Sequence, residues 1–333
     1  MKLLMQSFVN TFQFQNRSPE RAAQPSGRVI LLPQATEKKL KTLLESEALP
    51  WVDVKASLAK PFLYLQTQKG PLWVVSCHDR KKQFTFWRDS AGDLVSQWQV
   101  HGLQSVEIDA SQLSGDQLRA VAMGFELASY NYRVVEGTRK ANLPAVSINI
   151  QKNAKNNLQW ELGRDLGMGM NVGRHLINHP GNILNPVSYS EGVKNYFQKL
   201  AGVKVTVLKG KDLDAGRFGL LQAVGAGSPN PPCLVHISYR PKLTGKLAKG
   251  AEPIAFVGKG ITFDTGGLDI KISSSMRLMK KDMGGSASVI GLADFVIRSK
   301  LEIPCDFIIA LAENSVDGLA MRPGDIIRSK SGQ

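Results

Sequence analysis

The chain has 333 residues, of which 43% are hydrophobic and 21% are charged, and its formal net charge is +14 at pH 7. This length allows two domains with sizeable cores, and the composition is that of an ordinary globular protein. No apolar stretch approaches the roughly 20 residues of a membrane span, and the N-terminus lacks the long apolar region of a signal peptide.

The positive charge is spread evenly, because residues 1–160 and residues 161–333 each carry a net charge of +7. A basic surface attracts phosphates, so DNA binding stays open as a second function, although no recognised nucleic-acid-binding module is visible. The three cysteines, Cys77, Cys233 and Cys305, are well separated and form neither a disulfide framework nor a zinc cluster. They fit a reducing cytosol, so we expect a cytoplasmic protein without a membrane partner.

The first 150 residues alternate between strand and helix patterns. Runs rich in β-branched and aromatic residues predict strands at 28–32, 62–65, 72–75, 83–87 and 145–150. Charged and apolar residues at helical spacing predict helices at 35–49 and 112–132. These patterns predict a smaller N-terminal α/β domain over residues 1–150, and no motif in it indicates a function.

Residues 151–180 have the pattern of a connecting helix. The spacing predicts one buried stripe, made of Leu158, Leu162, Leu166, Met170 and Leu176. His175 and His179 lie four residues apart on the same helix, but no HExxH arrangement surrounds them. We therefore expect these histidines to pack against neighbours rather than to bind zinc.

Residues 181–333 predict a second α/β domain. Strand patterns occur at 203–208, 234–239, 254–257 and 305–311, and helix patterns occur at 189–201, 212–221 and 286–299. This alternation favours a mostly parallel, mixed sheet with helices on both faces. Open α/β sheets bind their ligands beyond the carboxyl ends of the strands, and a charged segment follows the strand at 254–257.

Within that segment, two lysines and two aspartates lie at fixed intervals among glycines: Lys259, Asp264, Lys271 and Asp282. Charges at the end of a buried strand usually have a function, because an unpaired charge there is costly. Aspartates suit Mg²⁺, Mn²⁺ or Zn²⁺, and a lysine beside such cations acts either as a neutral ligand or as a cation that stabilises an oxyanion. The pattern favours hydrolysis of an amide or ester by metal-bound water.

The same residues resemble the signature of the leucyl (cytosol) aminopeptidases, which are two-metal exopeptidases. The resemblance rests on VGKG at 257–260, TFDTGG at 262–267, IK at 270–271 and MKKDMGG at 279–285. Similar segments also lie at 173–186, 220–239 and 310–332, so the resemblance covers roughly residues 165–333. It implies a metal-dependent aminopeptidase that releases leucine-like N-terminal residues from peptides.

The resemblance also assigns roles to individual residues. Lys259, Asp264 and Asp282 fall on the family's metal ligands, with Asp264 bridging two divalent ions, Mn²⁺ or Zn²⁺ with Mg²⁺ as a further option. Lys271 falls on the catalytic lysine, which binds the substrate carbonyl and stabilises the gem-diolate formed by attack of a metal-bridging hydroxide. Met279 falls on a substrate-binding residue that lines the pocket for the first side chain, where its adaptable thioether suits a leucine-sized group.

The family has a later segment, Asn-Thr-Asp-Ala-Glu-Gly-Arg, which at the family's spacing would begin just after Gln333. It supplies an aspartate ligand, a bridging glutamate and the arginine that holds a bicarbonate acting as general base. We therefore expect a C-terminally incomplete catalytic domain with three of five protein ligands, in which bicarbonate and the family's homo-hexamer belong to the complete chain. The activity of this polypeptide then depends on residues it does not contain.

Two alternatives stay open from the sequence alone. One is a non-catalytic binding protein derived from the family, which acts on DNA through its N-terminal domain. The other is a fragment without an independent role, whose unfinished sheet exposes apolar surface.

Overall fold

The structure is a computed structural model. It describes residues 14–16, 25–33, 36–49, 52–58, 62–77, 83–132, 143–151, 153–213, 215–244, 252–321, 323, 325–327 and 329–331. These residues form two compact units. One unit holds the described residues of 14–131 and 143–168, and the other holds Tyr132 and the described residues from Gly169 onward. The domain boundaries at 1–150, 151–180 and 181–333 remain predictions.

The N-terminal unit contains a six-stranded sheet. Its strands are β1 (Phe14–Asn16), β2 (Gly27–Leu32), β3 (Phe62–Thr67), β4 (Gly70–Ser76), β5 (Ser105–Asp109) and β6 (Ala145–Asn149). The spatial order is β1-β6-β5-β2-β4-β3, and every pairing is parallel except that of β3 with β4. The strand at 105–109, between the two predicted helices, was not expected from the sequence.

Helices flank this sheet. They are α1 (Glu37–Ser46), α2 (Val54–Leu58), α3 (Gln83–Val100), α4 (Asp116–Ser129) and the first part of α5 (Ala154–Asn178). The core between them is rich in large aromatic side chains, and Trp73, Trp87, Trp98 and Phe125 are all fully buried. Burying several rings of this size is a large hydrophobic contribution to the stability of the unit.

The strand predicted at 83–87 is wrong, because these residues begin helix α3. The aromatic residues of Gln83–Trp87 favour a strand locally, but the longer sequence has a helical period. Trp87, Ala91, Leu94 and Trp98 are all buried and lie at intervals of three or four residues, so they face the core as one helical stripe.

The second unit contains a four-stranded mixed sheet. Its strands are β7 (Val203–Lys209), β8 (Cys233–Tyr239), β9 (Ile254–Asp264) and β10 (Cys305–Asn314), in the order β7-β8-β10-β9. The β9–β10 pairing is parallel, whereas β8 pairs antiparallel with both β7 and β10. Together with the helices, this confirms the predicted α/β class with a mixed sheet. The expectation that this sheet is mostly parallel is wrong for the described strands, because β8 runs against both of its neighbours and two of the three pairings are antiparallel.

The remaining helices are α6 (Pro186–Phe197), α7 (Ala215–Gly225), α8 (Ser273–Met276) and α9 (Gly284–Arg298). The core of this unit joins α6 and α9 to buried positions that alternate along β8 and β10, among them Val235, Ile237, Phe307 and Ile309. Alternation at a period of two is what a strand needs to bury one face.

The buried stripe predicted for residues 151–180 is wrong in part, because Leu158 is 56% exposed and Met170 is 44% exposed. The buried face of α5 instead carries glycines. A methyl group added to Gly163 would lie 2.2 Å from the carbonyl oxygen of Arg119, so α4 and α5 approach too closely for a side chain there. Among the described helices, none is long and apolar enough to cross a membrane.

Candidate active site

Strand β9 is longer than the sequence predicts, so Lys259 lies within the strand rather than beyond its end. The glycines on either side of Lys259 indicate a turn locally, but they allow a close contact instead. A methyl group added to Gly258 would lie 2.7 Å from the Cα atom of Ser286, and one added to Gly285 would lie 3.1 Å from the backbone nitrogen of Lys259. The first turn of α9 therefore packs directly against β9 at this point.

This contact brings Asp282, just before α9, beside the Lys259 side chain. The Lys259 Nζ atom donates a hydrogen bond to Asp282 Oδ1 at 2.9 Å and lies 2.8 Å from Oδ2. Oδ2 is buried and accepts no hydrogen bond of regular geometry from any described residue. The 60% exposure of the lysine side chain leaves room for a further ligand on the open side of the pair.

Asp264 is the last residue of β9, and its carboxylate is held by three donors. Its Oδ1 atom accepts hydrogen bonds from the backbone N–H of Gly266 and from Asn314 Nδ2, both at 2.9 Å. Its Oδ2 atom lies 2.9 Å from Lys271 Nζ. The carboxylate is thus fixed in orientation by the backbone and by a neighbouring strand.

A tight loop returns Lys271 to Asp264. Gly266 and Gly267 have φ values of 92° and 74°, in the region that favours glycine. The backbone N–H of Lys271 donates to the carbonyl of Thr265 at 2.9 Å, which closes the loop. A methyl group on Gly266 would lie 2.2 Å from the carbonyl oxygen of Asp269, so any other residue would disrupt the loop that positions Lys271.

The two ion pairs are electrostatically linked. Burial alone would raise the pKa of the Asp264 carboxyl, but hydrogen bonds from Lys271, Gly266 and Asn314 outweigh it and lower that pKa. The hydrogen bond to Asp264 raises the pKa of Lys271, and the negative charge of Asp282 acts in the same direction. Lys271 is therefore a stable cation close to both carboxylates.

Asn314 belongs to this cluster, and the sequence analysis missed it. Asn314 ends β10 opposite Asp264, and its carbonyl oxygen accepts hydrogen bonds from the backbone N–H and the hydroxyl of Thr265 at 2.9 and 3.0 Å. The available signal was the pairing itself: a polar residue at the end of a strand parallel to β9 meets Asp264 at the same edge of the sheet.

Met279 begins the short 3₁₀ helix Met279–Lys281 and is half-buried. The ammonium of the next residue, Lys280, donates a hydrogen bond to the carbonyl oxygen of Asn178 at 2.9 Å. The contact fixes the turn that leads into Asp282. The substrate-pocket role of Met279 stays a prediction.

The donor set fits a divalent cation. Lys259 and Asp264 both belong to β9. The Lys271 ammonium is influenced by the negative charges of Asp264 and Asp282, and the buried Asp282 Oδ2 lacks a regular hydrogen bond within the described part of the chain. The described residues contain no group of three or more histidine, cysteine, aspartate or glutamate side chains suited to a metal. A metal here would therefore depend on lysine coordination and on ligands beyond these carboxylates.

His175, in the last turn of α5, and His179, just after the helix, pack against each other as expected. Their rings meet edge to face with centroids 4.4 Å apart, and the Tyr132 hydroxyl lies 3.1 Å from His179 Nδ1. Burial, and then the neighbouring His179, lower the pKa of His175 to about 3. A histidine that stays neutral inside a ring cluster contributes packing rather than charge.

A protein-family match covers most of the second unit. Residues 171–333 match the profile described as the cytosol aminopeptidase family, catalytic domain. A probable cytosol aminopeptidase of Brucella ovis is 37% identical over 236 residues, which are 69% of this chain and 46% of that protein. One of Sinorhizobium fredii is 31% identical over 327 residues, which are 94% of this chain and 62% of that protein. The chain thus spans about half to three fifths of the length of these relatives.

Two solved structures share the fold at low identity. The bottromycin maturation enzyme BotP in complex with Mn has a TM-score of 0.73 and 24% identity, over 93% of this chain and 64% of that chain. Apo leucyl aminopeptidase from Trypanosoma cruzi has a TM-score of 0.73 and 23% identity, over 99% of this chain and 68% of that chain. These structural similarities show the shared fold, and the sequence matches show that the chain, through residues 171–333, belongs to the cytosol aminopeptidase family.

Proposed function

We propose that this chain contributes to a metal-dependent aminopeptidase that releases leucine-like N-terminal residues from peptides. The observation that carries the proposal is that the family signature holds two ion pairs, Lys259–Asp282 and Asp264–Lys271, with the Lys271 ammonium under the influence of both carboxylates. The relatives that match are named aminopeptidases, which does not favour the DNA-binding alternative. The manganese named with BotP supports Mn²⁺ as the first ion to test.

In this proposal Lys259, Asp264 and Asp282 hold the metal. A bound divalent cation supplies Lewis-acid activation of water and of the scissile carbonyl. Asp264 is the best prepared ligand, because Gly266 and Asn314 fix one of its oxygens and burial limits its motion. Asp282 contributes a buried oxygen that lies 2.8 Å from the Lys259 ammonium but accepts no hydrogen bond of regular geometry from the described residues.

Lys271 has a separate role in substrate binding and catalysis. Its raised pKa keeps the ammonium charged at neutral pH, so it donates a hydrogen bond to the scissile carbonyl as negative charge develops on the oxygen. The glycine loop holds this charge in place before substrate arrives, and pre-organisation of this kind lowers the barrier. Met279 lines the pocket for the first side chain.

In this proposal the described residues supply three protein ligands, whereas bicarbonate, further metal ligands and the hexamer stay expectations from the family resemblance. The part described here then binds metal more weakly than a complete site. This follows from ligand number, because each lost carboxylate removes a charged partner from the cation.

Calorimetric titration of the purified chain with Mn²⁺ tests the metal site. Asp264→Asn keeps the shape of the side chain and removes its charge, so we expect the Kd for Mn²⁺ to rise about tenfold or more. Asp269→Asn is the matched control, since Asp269 is an exposed carboxylate in the same loop. Equal Mn²⁺ affinity in the wild type and Asp264→Asn would refute the ligand assignment. Hydrolysis of leucine p-nitroanilide by the same preparation reports whether the residues present are sufficient for turnover.

A further inference from the structure

A cleft of about 960 Å³ lies at the end of the second sheet away from the candidate active site. It is bounded by the segment after α6, the end of β8 and the end of α9. Tyr239 and Cys305 pair at this end of the sheet, whereas Asp264 and Asn314 pair at the other. The length of β10 separates the two places by roughly 30 Å.

The rim of the cleft carries two lysines without carboxylate partners. Two arginines at the rim are already engaged, Arg240 with Asp306 at 2.8 Å and Arg298 with Asp294 at 2.9 Å. Lys242 and Lys300 also line the cleft, are exposed, and form no ion pair with any residue in the described part of the chain.

The carboxylate of Glu302, which also lines the cleft, already accepts hydrogen bonds. The hydroxyl and backbone N–H of Thr244 both donate to the Glu302 carboxylate, at 2.7 to 2.9 Å. The ends of α6 and α9 add partial negative charges of about half a unit each, which offset about one of the two lysine charges. Glu302 keeps its negative charge, because the Thr244 donors are neutral. The mouth of the cleft is therefore close to neutral overall, and Lys242 and Lys300 are the lysines there that form no ion pair with the described residues.

The walls and floor of the cleft differ from its rim. Leu200, Pro241 and Ile297 provide apolar lining. The floor is a polar network in which the Tyr196 hydroxyl donates to the buried Asp294 at 2.7 Å and accepts from Arg298 at 2.9 Å. A concave apolar surface with a few charges at its mouth is the usual form of a small-molecule site.

Lys300 also has an unusual backbone. It follows α9 with a φ of 50°, where glycine is the preferred residue after a helix. Its N–H donates to the carbonyl of Ile297, and the next N–H donates to the carbonyl of Val296, both at 3.1 Å. A lysine within the last turn of α9 would interact with the helix dipole without a positive φ. The dipole therefore does not explain why a lysine occupies position 300.

We propose that this cleft binds a small organic anion, with a phosphate or carboxylate between Lys242 and Lys300 and an apolar or aromatic body against the walls. The two ammonium groups supply charge-assisted hydrogen bonds to the anionic group. Leu200, Pro241 and Ile297 cover the remainder of the ligand. The site is independent of the proposed aminopeptidase function.

Calorimetric titration of the full chain with chelator present, at low ionic strength, tests this proposal. The probes are adenosine monophosphate, 2-naphthoate, adenosine and inorganic phosphate. We expect one or both of the first two to bind, adenosine not to bind, and inorganic phosphate to bind more weakly. Whichever anion binds identifies the preferred head group. Failure of both adenosine monophosphate and 2-naphthoate to bind overturns the proposal.

Three variants localise the binding. Lys300→Gly removes the charge and the backbone strain, so we expect the Kd to rise about tenfold while the melting temperature rises by about 2–4 °C. Lys300→Ala should weaken binding equally without that rise. Ala48→Gly, at a φ of 56° in the other unit, relieves strain away from the cleft and should leave the Kd unchanged. An unchanged Kd in Lys300→Gly would also overturn the proposal.

Discussion

Asn314 holds the carboxylate around which the candidate active site is arranged. Its amide donates to Asp264 at 2.9 Å, and this fixes one oxygen while Lys271 lies against the other. Groups that orient a ligand affect metal affinity nearly as strongly as the ligand itself. The residue is therefore as informative a target for mutation as the charged residues of the signature.

We expect Asn314→Ala to raise the Kd for Mn²⁺ about tenfold, because the Asp264 carboxylate loses a fixed orientation and a hydrogen bond. The measurement is calorimetric titration of the chain with Mn²⁺. Asn230→Ala is the control. The Asn230 amide donates a hydrogen bond to the Glu313 carboxylate at 2.7 Å, so this substitution removes a similar bond one residue away from Asn314. Similar affinities in the two variants would show that Asn314 does not position Asp264.

Burial of His175 predicts that the stability of the folded chain depends on pH. Burial holds its pKa in the folded chain at about 3, below the ordinary 6.5. The unfolded chain therefore binds one more proton between these values, and stability falls as pH decreases through that window. The slope from this group approaches about 1.4 kcal/mol per pH unit.

Urea unfolding of the second unit, measured from pH 7 to pH 4, tests this prediction. His175→Phe keeps a flat ring in the cluster and should reduce the loss of stability on acidification. His101→Phe is the control, because His101 is exposed and lies in the first unit, so this variant should leave the pH dependence of the second unit as it is in the wild type. If both variants lose stability as steeply as the wild type, another group is responsible for the pH dependence.

At the scale of elements, α5 and α9 cross through a contact between two glycines. A methyl group added to either Gly169 or Gly291 would lie 2.5 Å from the carbonyl oxygen of the other. Neither backbone can move apart without opening the core that α9 shares with the sheet. The crossing therefore depends on the absence of side chains.

We expect Gly291→Ala to destabilise the second unit by about 1–3 kcal/mol, the usual range for overpacking. Gly92→Ala in α3 is the matched control, since the added methyl would meet only Ala128 at 4.0 Å. There the gain in helix propensity should stabilise by about 0.5–1 kcal/mol. Urea unfolding of both variants measures the two effects, and a stabilising Gly291→Ala would contradict the proposed crossing.

Two of the differences between the predicted and the observed elements have the same physical cause. Gly258 and Gly260 indicate a turn when only neighbouring residues are considered, yet they lie in β9 because α9 and β10 approach the strand there. Likewise, the glycines of α5 form its contact face, although leucine spacing predicts the stripe elsewhere. Contacts between elements far apart in the sequence decided both cases, and no local pattern records them.

For the molecule as a whole, the sequence predicted which residues form the candidate site better than it predicted how those residues are arranged. It predicted the α/β class with a mixed sheet and indicated Lys259, Asp264, Lys271 and Asp282 from their spacing and family resemblance. Their arrangement into two ion pairs, and the contribution of Asn314, depend on β9 and β10 lying side by side, which only the sheet order reveals.

The two units have separate hydrophobic cores, so metal binding should stabilise only one of them. A ligand that binds the folded state adds RT ln(1 + [L]/Kd) to stability, about 2.7 kcal/mol at a hundredfold excess over Kd. In differential scanning calorimetry we expect Mn²⁺ to raise the transition of the second unit and leave that of the first unchanged. Asp282→Asn should abolish this shift, because it weakens binding without altering either core. Equal shifts of both transitions would indicate nonspecific binding of Mn²⁺, and the absence of any shift would count against a metal site formed by the residues present.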